Sequence, residues 1–455
     1  MDALEFLAQH EADNLDQLKE LLRIPSVSAQ SEHAADTRRC AGWVADHLRG
    51  IGLAAEVCET GGHPAVIAEY QGPAGAPTVL VYGHYDVQPA DPVELWQSAP
   101  FDPIEADGYL LARGVTDDKG QFFAHVKGAE ACLRTAGAIP CSLKFLIEGE
   151  EESGSAHLNP FIEANRARLA ADVVVISDGC QYGPDMPAIN FDLRGLAFVE
   201  VKVTGPDRDL HSGSYGGAVA NPVNMLARMI GQLHFADGRV RVPGFYDRVY
   251  TATAWEREQF ARLPFDAKAY RRSTGAPALW GEPGYTPLER TWIRPTLDVN
   301  GITGGYQGEG GKTIIPAWAS AKITMRLVPD MTPEDTAAKL EAYLRQICPP
   351  SVRLEVIHHG GAPAVQVPVD GPWLEAAARA LETGFGRRPF FTKEGGSIPV
   401  VGTFKSVLGI DTLLIGFGQQ TDNPHSPNER MLIRDFHRGG RTSVALFHEL
   451  AGVRR

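Results

Sequence analysis

Histidines and acidic residues recur just after short apolar runs that have the composition of buried strands. His84 and Asp86 follow "TVLVYG", three glutamates follow "SLKFLIEG", Asp178 follows "DVVVIS", and His425 lies a few residues beyond "TLLIGFG". A further motif, "RGVTDDKG", places Asp117 directly before a helical pattern. Open α/β sheets bind ligands outside the carboxyl ends of their strands, so these side chains are predicted to line one polar pocket.

Each of these motifs also has a purely structural interpretation. An Asp-Asp pair before a helix is usually an N-cap, a run of glutamates is usually a solvated turn, and a His-x-Asp pair is often a structural hydrogen bond. These readings do not explain why the motifs coincide at one sheet edge, where clustered carboxylates would repel each other and take up protons. Cations resolve that repulsion, and two imidazoles with several carboxylates suit Zn²⁺ or a similar divalent ion.

His84 and Asp86 are two residues apart on a strand and therefore share a face. Asp86 can then hold the imidazole in one tautomer while the other ring nitrogen binds a metal. A two-metal site would also need one carboxylate that bridges the ions and a separate one that handles protons. The acidic side chains of these motifs suffice for both roles.

The elements that must position these residues follow from the hydrophobic pattern. The four apolar runs are bounded by Gly or Asp and alternate with helical stretches, which predicts strands buried on both faces of a mixed α/β sheet flanked by helices. The sequence "EADGYLLARG" contains Asp107-Gly108, a turn dipeptide that favours a β-hairpin.

The pattern changes near residue 190. The stretch "GLAFVEVKVTG" alternates strictly, as expected for a strand covered on one face, and "MTPEDTAAKLEAYLRQIC" predicts a helix with Thr332 as N-cap. We therefore predict a catalytic domain formed by residues 1–189 and 360–455, interrupted by a smaller α+β domain at 190–359. Within that insertion, the segments "GFYDRVYTATAWEREQFARLP" and "GAPALWGEPGYTPLERTW" are expected to be irregular.

Composition excludes several classes of protein. The 455-residue chain has a formal net charge of −13, which argues against a nucleic-acid partner. Its apolar runs fall short of the roughly 18 residues that span a bilayer, and its acidic, amphipathic N-terminus is unlike a signal peptide, so we expect a cytoplasmic location and no membrane partner. The six cysteines are scattered along the sequence, and we expect them to be reduced core residues.

Seven motifs together resemble the M20 family of dinuclear metallopeptidases. They are "GHYDVQP", "RGVTDDKG", "EGEEESGS", "ISDG", "DLHSG", "KEGGSIP" and "HSPNE", in the family's order and approximate spacing. The long middle segment is most similar to the branch of cytosolic dipeptidases related to carnosinase. The resemblance implies a zinc-peptidase-like catalytic domain and an inserted lid and dimerisation domain. It also implies hydrolysis of dipeptides with two divalent metal ions, for which Zn²⁺ is the first expectation and Mn²⁺ or Co²⁺ are alternatives.

The resemblance also implies roles for individual residues. Glu151 would be the general base and Asp86 would support His84, while His211 would reach across a homodimer to stabilise the oxyanion. The metal ligands would be His84, Asp117 as the bridge, Glu152, Asp178 and His425. The substrate would be bound by Arg326, Thr313, Glu394, Ser397 and His359, with Arg326 gripping its carboxylate and Glu394 receiving its free amino group.

Other functions remain open at this point. An N-acyl-amino-acid deacylase or a carboxypeptidase would share the metal core and differ in the pocket. A glycosidase with paired carboxylates and no metal is disfavoured by the two histidines at strand ends. A catalytically inactive relative that acts as a binding module is disfavoured because every matched ligand and Glu151 are present.

Overall fold

The computed structural model describes residues 1–396 and 398–453. The strands are β1 (Ala54–Cys58), β2 (Ala65–Tyr70), β3 (Thr78–His84), β4 (Ile104–Ala106), β5 (Tyr109–Leu111), β6 (Ser142–Glu148), β7 (Val173–Ile176), β8 (Ala188–Leu193), β9 (Gly195–Thr204), β10 (Leu210–His211), β11 (Thr296–Gly304), β12 (Ile314–Ile315), β13 (Trp318–Leu327), β14 (Arg353–Ala362), β15 (Val365–Gln366), β16 (Phe390–Glu394), β17 (Thr412–Ile415) and β18 (Arg430–Leu432).

Helices follow the amphipathic stretches of the sequence. They are α1 (Ala3–Gln9), α2 (Glu11–Leu22), α3 (Ala34–Gly50), α4 (Lys119–Ala136), α5 (Leu158–Ala164), α6 (Ser212–Tyr215), α7 (Pro222–Ile230), α8 (Ala254–Arg262), α9 (Ala267–Thr274), α10 (Pro287–Trp292), α11 (Pro333–Ile347), α12 (Pro372–Phe385), α13 (Pro399–Thr403) and α14 (Ile433–Ala451). Short 3₁₀ turns occupy Ser31–His33, Val93–Leu95 and Glu151–Ser153, and a π-helical turn occupies Phe404–Leu408.

The chain divides into two compact units. The first comprises Met1–Phe191, Val367–Thr392 and Thr403–Arg455, and the second comprises Asp192–Gln366 and Lys393–Gly402. The divisions therefore fall at 191/192 and 366/367, whereas the sequence pattern predicts them at 189/190 and 359/360. The return of Lys393–Gly402 to the second unit has no counterpart in the predicted boundaries.

A mixed sheet forms the centre of the first unit, as the sequence predicts. Its strands follow the order β1-β2-β6-β3-β7-β17-β8. The four apolar runs singled out in the sequence are β6, β3, β7 and β17, which are direct neighbours and run parallel to one another. Their side chains are almost entirely buried, because both faces of a parallel sheet are covered.

The predicted hairpin of the first unit is confirmed. β4 and β5 pair in antiparallel register with Ala106 opposite Tyr109, so the turn contains two residues, Asp107 and Gly108. Both have positive φ, 51° and 81°, as a tight two-residue hairpin turn requires. β18 adds to β5 and brings the chain just after His425 beside this hairpin.

An antiparallel sheet in the order β11-β13-β9-β14 lies at the centre of the second unit, packed against helices α7 and α11. Strand β9 alternates buried and half-buried residues along its whole length, as its sequence predicts. Helix α11 begins after Thr332, whose side chain accepts the N–H of Asp335, and Pro333 occupies its first position.

The expectation that the segments 244–264 and 275–292 are irregular is wrong in part. Helices α8 and α10 form within them, and α9 lies between them. Two capping boxes start these helices, Thr253 with Glu256 and Thr286 with Glu289. The sequences "TAWE" and "TPLE" carry that signal, which outweighs the surrounding Pro, Gly and aromatic residues.

Candidate metal centre

The carboxyl ends of the four parallel strands meet at one edge of the sheet. His84 is the last residue of β3, Glu151 and Glu152 form the turn after β6, Asp178 lies two residues past β7, and His425 is in the loop after β17. Gly83 allows this approach, because a Cβ atom at that position would lie 2.6 Å from the Asp118 carboxylate.

One group of potential metal ligands surrounds His84, whose side chain is fully buried. Its Nε2 lies 3.1 Å from Oδ1 of Asp117 and 3.8 Å from Oδ2 of Asp178. One ligand atom from each of these three residues lies within 4.8 Å of the others. An imidazole nitrogen and two carboxylate oxygens at this spacing can coordinate one divalent ion.

A second group of potential ligands contains Asp117, Glu152 and His425. Nε2 of His425 lies 2.9 Å from Oδ2 of Asp117 and 3.2 Å from Oε2 of Glu152. Asp117 thus turns one carboxylate oxygen toward each histidine. This is the arrangement expected of a carboxylate that bridges two cations.

Asp86 supports His84 and also the acidic loop that follows β6. Nδ1 of His84 lies 3.1 Å from the backbone oxygen of Asp86 and 3.4 Å from its Oδ1. The Asp86 carboxylate also accepts the backbone N–H groups of Glu151 and Glu152, at 3.2 and 3.1 Å. Asp86 therefore does more than orient His84, because its carboxylate joins two loops.

The three consecutive glutamates have different surroundings. Glu150 turns away from both ligand groups: its carboxylate accepts the N–H of His63 at 2.9 Å and lies 2.9 Å from Nδ1 of His157. Glu152 belongs to the second ligand group, and Gln88 donates to its Oε2 at 2.8 Å. These contacts favour the register in which Glu151 is the base and Glu152 the ligand.

Burial, charge and hydrogen bonding raise the pKa values of several of these groups. Burial, opposed by His84 and reinforced by Glu152, raises the pKa of Glu151 to about 7. Burial and the charge of Asp117 raise the pKa of Asp178, whereas hydrogen bonds to Asp117 and Glu152 raise the pKa of His425 to about 10. So many carboxylates in one buried place require positive charge, and the donor set of imidazole nitrogens and carboxylate oxygens fits two divalent cations.

Glu429 is a supporting residue to which the sequence reasoning assigned no role. Its buried carboxylate accepts N–H groups from Gly114, Thr116 and Asp117 at 2.8, 2.9 and 3.2 Å, and pairs with Arg113 at 2.7 Å. It thereby fixes the loop that carries Asp117. The sequence contains a signal for this residue, since Glu429 ends the motif "HSPNE". A glutamate in a polar loop usually faces solvent, however, so its burial is not expected from the sequence.

Asp118 does not act as the side-chain N-cap that the simplest interpretation of "DDKG" suggested. It occupies the position before α4, yet its side chain makes no capping hydrogen bond there. Its Oδ2 instead accepts the backbone N–H of His84 at 3.1 Å. Asp118 therefore ties the start of α4 to the end of β3, next to the first ligand group.

The remaining predicted residues that the structure describes lie in the second unit. His211 and Thr313 are brought together there: β10 pairs with β12, and the N–H of Ser212 donates to the Thr313 carbonyl at 3.0 Å. Nδ1 of His211 accepts the N–H of Gly213 at 3.0 Å. That bond requires a neutral ring to carry its proton on Nε2, which is then the donor.

Arg326, Glu394 and His359 are also in the second unit. The charges of Arg326 and Glu394 both act on Arg194: burial and then Arg326 lower the pKa of Arg194 to about 10, while Glu394 opposes the change. His359 stacks on Phe198 with ring centroids 4.6 Å apart. Ser397 lies outside the described residues, and the approach of this group to the metal ligands stays a prediction.

Among the described residues, none of the helices has both the length and the apolar character needed to cross a membrane.

Comparisons with known proteins identify the family of the chain. The family model described as peptidase family M20/M25/M40 matches residues 80–449. The chain is 34% identical over 395 residues to the Cys-Gly metallodipeptidase DUG1 of Saccharomyces cerevisiae, covering 84% of this chain and 81% of the yeast protein.

Two solved structures have closely similar folds. The crystal structure of human carnosine dipeptidase 1 is 30% identical, with a TM-score of 0.87 and coverage of 99% of this chain and 98% of the human one. An M20 family metallo-carboxypeptidase from Sulfolobus solfataricus is 32% identical, with a TM-score of 0.87 and coverage of 97% and 99%. The chain belongs to peptidase family M20/M25/M40.

Proposed function

We propose that this protein is a dinuclear metallodipeptidase that hydrolyses the amide bond of small substrates with a free amino group. The observation that carries the proposal is Asp117, whose two carboxylate oxygens face His84 and His425 at 3.1 and 2.9 Å. One carboxylate shared by two ligand groups supports a pair of cations rather than a single one. Similarity to the yeast Cys-Gly metallodipeptidase and to human carnosine dipeptidase 1 supports the substrate class.

His84, Asp117 and Asp178 would hold one cation, and Asp117, Glu152 and His425 the other. Bound there, the cations would supply Lewis acidity, which lowers the pKa of water from about 15.7 toward 7 and polarises a carbonyl. Among metals, we propose Zn²⁺, with Mn²⁺ and Co²⁺ as alternatives that accept the same ligands.

Glu151 is the proposed general base. Its pKa of about 7 suits a group that must both accept and return a proton near neutral pH. It takes a proton from the attacking water, whose oxygen bonds to the amide carbon. Glu151 then gives the proton to the leaving nitrogen as the C–N bond breaks, which yields a carboxylic acid and an amine.

The second unit would supply the groups that recognise the substrate. We propose that Glu394 binds the free amino group, that Arg326 binds the carboxylate, and that Thr313, Ser397 and His359 complete the pocket. A neutral His211, with its donor on Nε2, suits stabilisation of an oxyanion.

We further propose that the protein acts as a homodimer in which His211 serves the partner's metal site, and that it works in the cytoplasm. The resemblance of the "DLHSG" motif to M20 dimers supports the first point. None of the six cysteines, all of them among the described residues, is in a disulfide, which agrees with the second.

The substrate class is tested by comparing dipeptides, their N-acetylated forms and longer peptides. We expect dipeptides with a free amino group to have the highest kcat/KM. Equal or better turnover of the N-acetylated forms would instead identify a deacylase. Preference for longer peptides would identify a carboxypeptidase, the alternative that the Sulfolobus relative favours.

The role of Glu151 is tested by Glu151→Gln. This variant should bind two metal ions per chain, as the wild type does, while hydrolysis falls by at least about 100-fold, because the base is lost and the ligands are kept. Wild-type activity in this variant would contradict the assignment. Full activity of the wild type after exhaustive chelation would contradict the metal-dependent mechanism as a whole.

A further inference from the structure

A buried ionic cluster in the second unit has no place in the mechanism so far. The ammonium group of Lys393 lies 2.6 Å from Oδ2 of Asp192 and 2.7 Å from Oε1 of Glu256, and it contacts the hydroxyl of Tyr250. The side chains of Lys393 and Asp192 are fully buried, and that of Glu256 is 4% exposed. We call these four residues the Lys393 clamp.

The clamp includes residues from the segment that the sequence leaves without a role. Tyr250 and Glu256 come from the region around α8, and the hydroxyl of Tyr250 donates to Glu256 at 3.3 Å. The second carboxylate oxygen of Glu256 accepts the N–H of Thr253 at 2.6 Å, within the capping box of α8. The start of α8 is thus bound to Lys393 through one carboxylate.

Lys393 is adjacent to Glu394, the residue proposed to bind the amino group of the substrate. Successive side chains of a strand point to opposite faces, so an immobilised Lys393 fixes the direction in which Glu394 leaves β16. On the other side, the backbone oxygen of Glu394 accepts the N–H of Arg194 at 3.3 Å, and Arg194 Nε donates to the carbonyl of Gly395 at 3.2 Å.

The Glu394 carboxylate itself is placed by this backbone. Its Oε1 accepts the N–H of Gly395 at 3.1 Å, so the turn after β16 determines where the carboxylate lies. Two glycines follow Glu394 and restrict the backbone little, so the clamp and Arg194 act as neighbouring constraints on its position.

We propose that the Lys393 clamp positions the Glu394 carboxylate and so makes the α8 segment a determinant of specificity for substrates with a free amino group. This inference rests on the proposed function, since it assumes that Glu394 binds that amino group. Lys393, Asp192, Tyr250 and Glu256 are positioning residues, because they act through Glu394 and the turn that follows it.

The test uses Tyr250→Phe and Glu256→Gln in the full-length, metal-loaded protein. Glutamine keeps an acceptor for the Thr253 N–H, so α8 retains its cap while the negative charge beside Lys393 is lost. Glu258→Gln is the matched control, because Glu258 lies in the same helix, is exposed and undergoes the same change of charge. The measured quantity is the ratio of kcat/KM for a dipeptide to kcat/KM for its N-acetylated form.

We expect the ratio to fall about 10-fold or more in Glu256→Gln and less in Tyr250→Phe, since small misplacements of a binding group are costly. Glu258→Gln should keep the wild-type ratio. Adding Glu256→Gln to Glu394→Gln should cause no further fall in the ratio, because the clamp acts only through the Glu394 carboxylate, which is then already absent. Equal loss of kcat/KM on both substrates in Glu256→Gln would overturn the proposal.

A second measurement separates this inference from the proposed function. If the wild type prefers N-acetylated substrates, the dipeptidase assignment fails. Amide hydrogen exchange, measured on a peptide that covers residues 391–396, then decides whether the clamp positions this turn. Faster exchange in Glu256→Gln than in Glu258→Gln would support the clamp. Identical exchange in the two variants would overturn it.

Discussion

Asp86 contributes to the metal centre without belonging to either ligand group. It lies behind His84, and its carboxylate also holds the N–H groups of Glu151 and Glu152. A single side chain therefore orients the imidazole of one proposed ligand and positions both the proposed base and a proposed ligand of the second cation. Such partners of metal ligands typically change metal affinity or activity by about 10- to 100-fold when they are mutated.

Asp86→Asn and His84→Ala should therefore have different effects. Asparagine keeps one acceptor oxygen, so Asp86→Asn should retain both metal ions with about 10- to 100-fold weaker affinity and reduced kcat. His84→Ala removes a ligand and should lose one metal ion per chain. The two outcomes are distinguished by measuring the metal content after dialysis and then the metal affinity by competition with a chelating dye. Equal metal loss in both variants would contradict these roles.

At the level of elements, the loop that carries Asp117 depends on the loop that carries His425. Glu429 follows His425 by four residues and accepts the N–H of Asp117 and of two neighbouring residues. The same carboxylate neutralises Arg113, whose side chain is 1% exposed. One buried ion pair thus couples residues 113–117 to residues 425–429, which between them contain the proposed bridging ligand and a proposed terminal ligand.

Glu429→Gln tests this coupling. Loss of the charge leaves Arg113 buried without its counter-ion, so the free energy of unfolding should fall by about 3 kcal/mol. Metal affinity should fall as well, because Asp117 is less well fixed. The control is Glu449→Gln, whose exposed pair with Arg379 should contribute less than about 1 kcal/mol. Denaturant unfolding of both variants checks this, and equal effects would contradict the coupling.

The sequence predicts the strands that carry the ligands because their signal is strong. Four short apolar runs bounded by Gly or Asp leave few alternatives to buried parallel strands, and residues at their carboxyl ends must then meet at one edge. The alternating pattern of β9 is equally clear. The helices α8 and α10 were not predicted, because their capping boxes lie among Pro, Gly and aromatic residues that favour irregular structure.

Supporting residues are harder to predict than ligands. The roles of Glu429, Gln88 and Glu256 depend on contacts with residues that are distant in sequence, and a single polar residue carries no periodicity that reveals burial. The contacts of Glu150 with His63 and His157, which lie away from both ligand groups, likewise follow from the fold rather than from the local sequence.

For the molecule as a whole, stability in acid depends in part on His47, a half-buried histidine outside the metal centre. His47 in α3 stacks on Trp43, with ring centroids 5.0 Å apart, and its Nε2 has no hydrogen-bond partner in the described part of the chain. Burial, helped by the positive charge of Lys127, lowers the pKa of His47 to about 4 from an ordinary value near 6.5. The folded protein therefore keeps this ring neutral at pH values where the unfolded chain protonates it.

The sign of the effect on stability follows from this difference in pKa. Above about pH 6.5 both states leave His47 neutral, and as the pH falls toward 4 only the unfolded state gains the proton. The free energy of unfolding should therefore fall by about 1.4 kcal/mol per pH unit from this residue alone. His47→Gln removes the titration, so between pH 6.5 and 5 the variant should lose about 2 kcal/mol less stability than the wild type.

Denaturant unfolding across this pH range, in chelator so that metal loss affects both proteins alike, measures the difference in slope. His448→Gln serves as the control, because His448 is exposed near the end of α14. Parallel curves for wild type and His47→Gln would mean that His47 takes up a proton equally in both states. The buried, unpaired ring nitrogen predicts the opposite result, since a proton there would create a charge beside Lys127 with no acceptor for it.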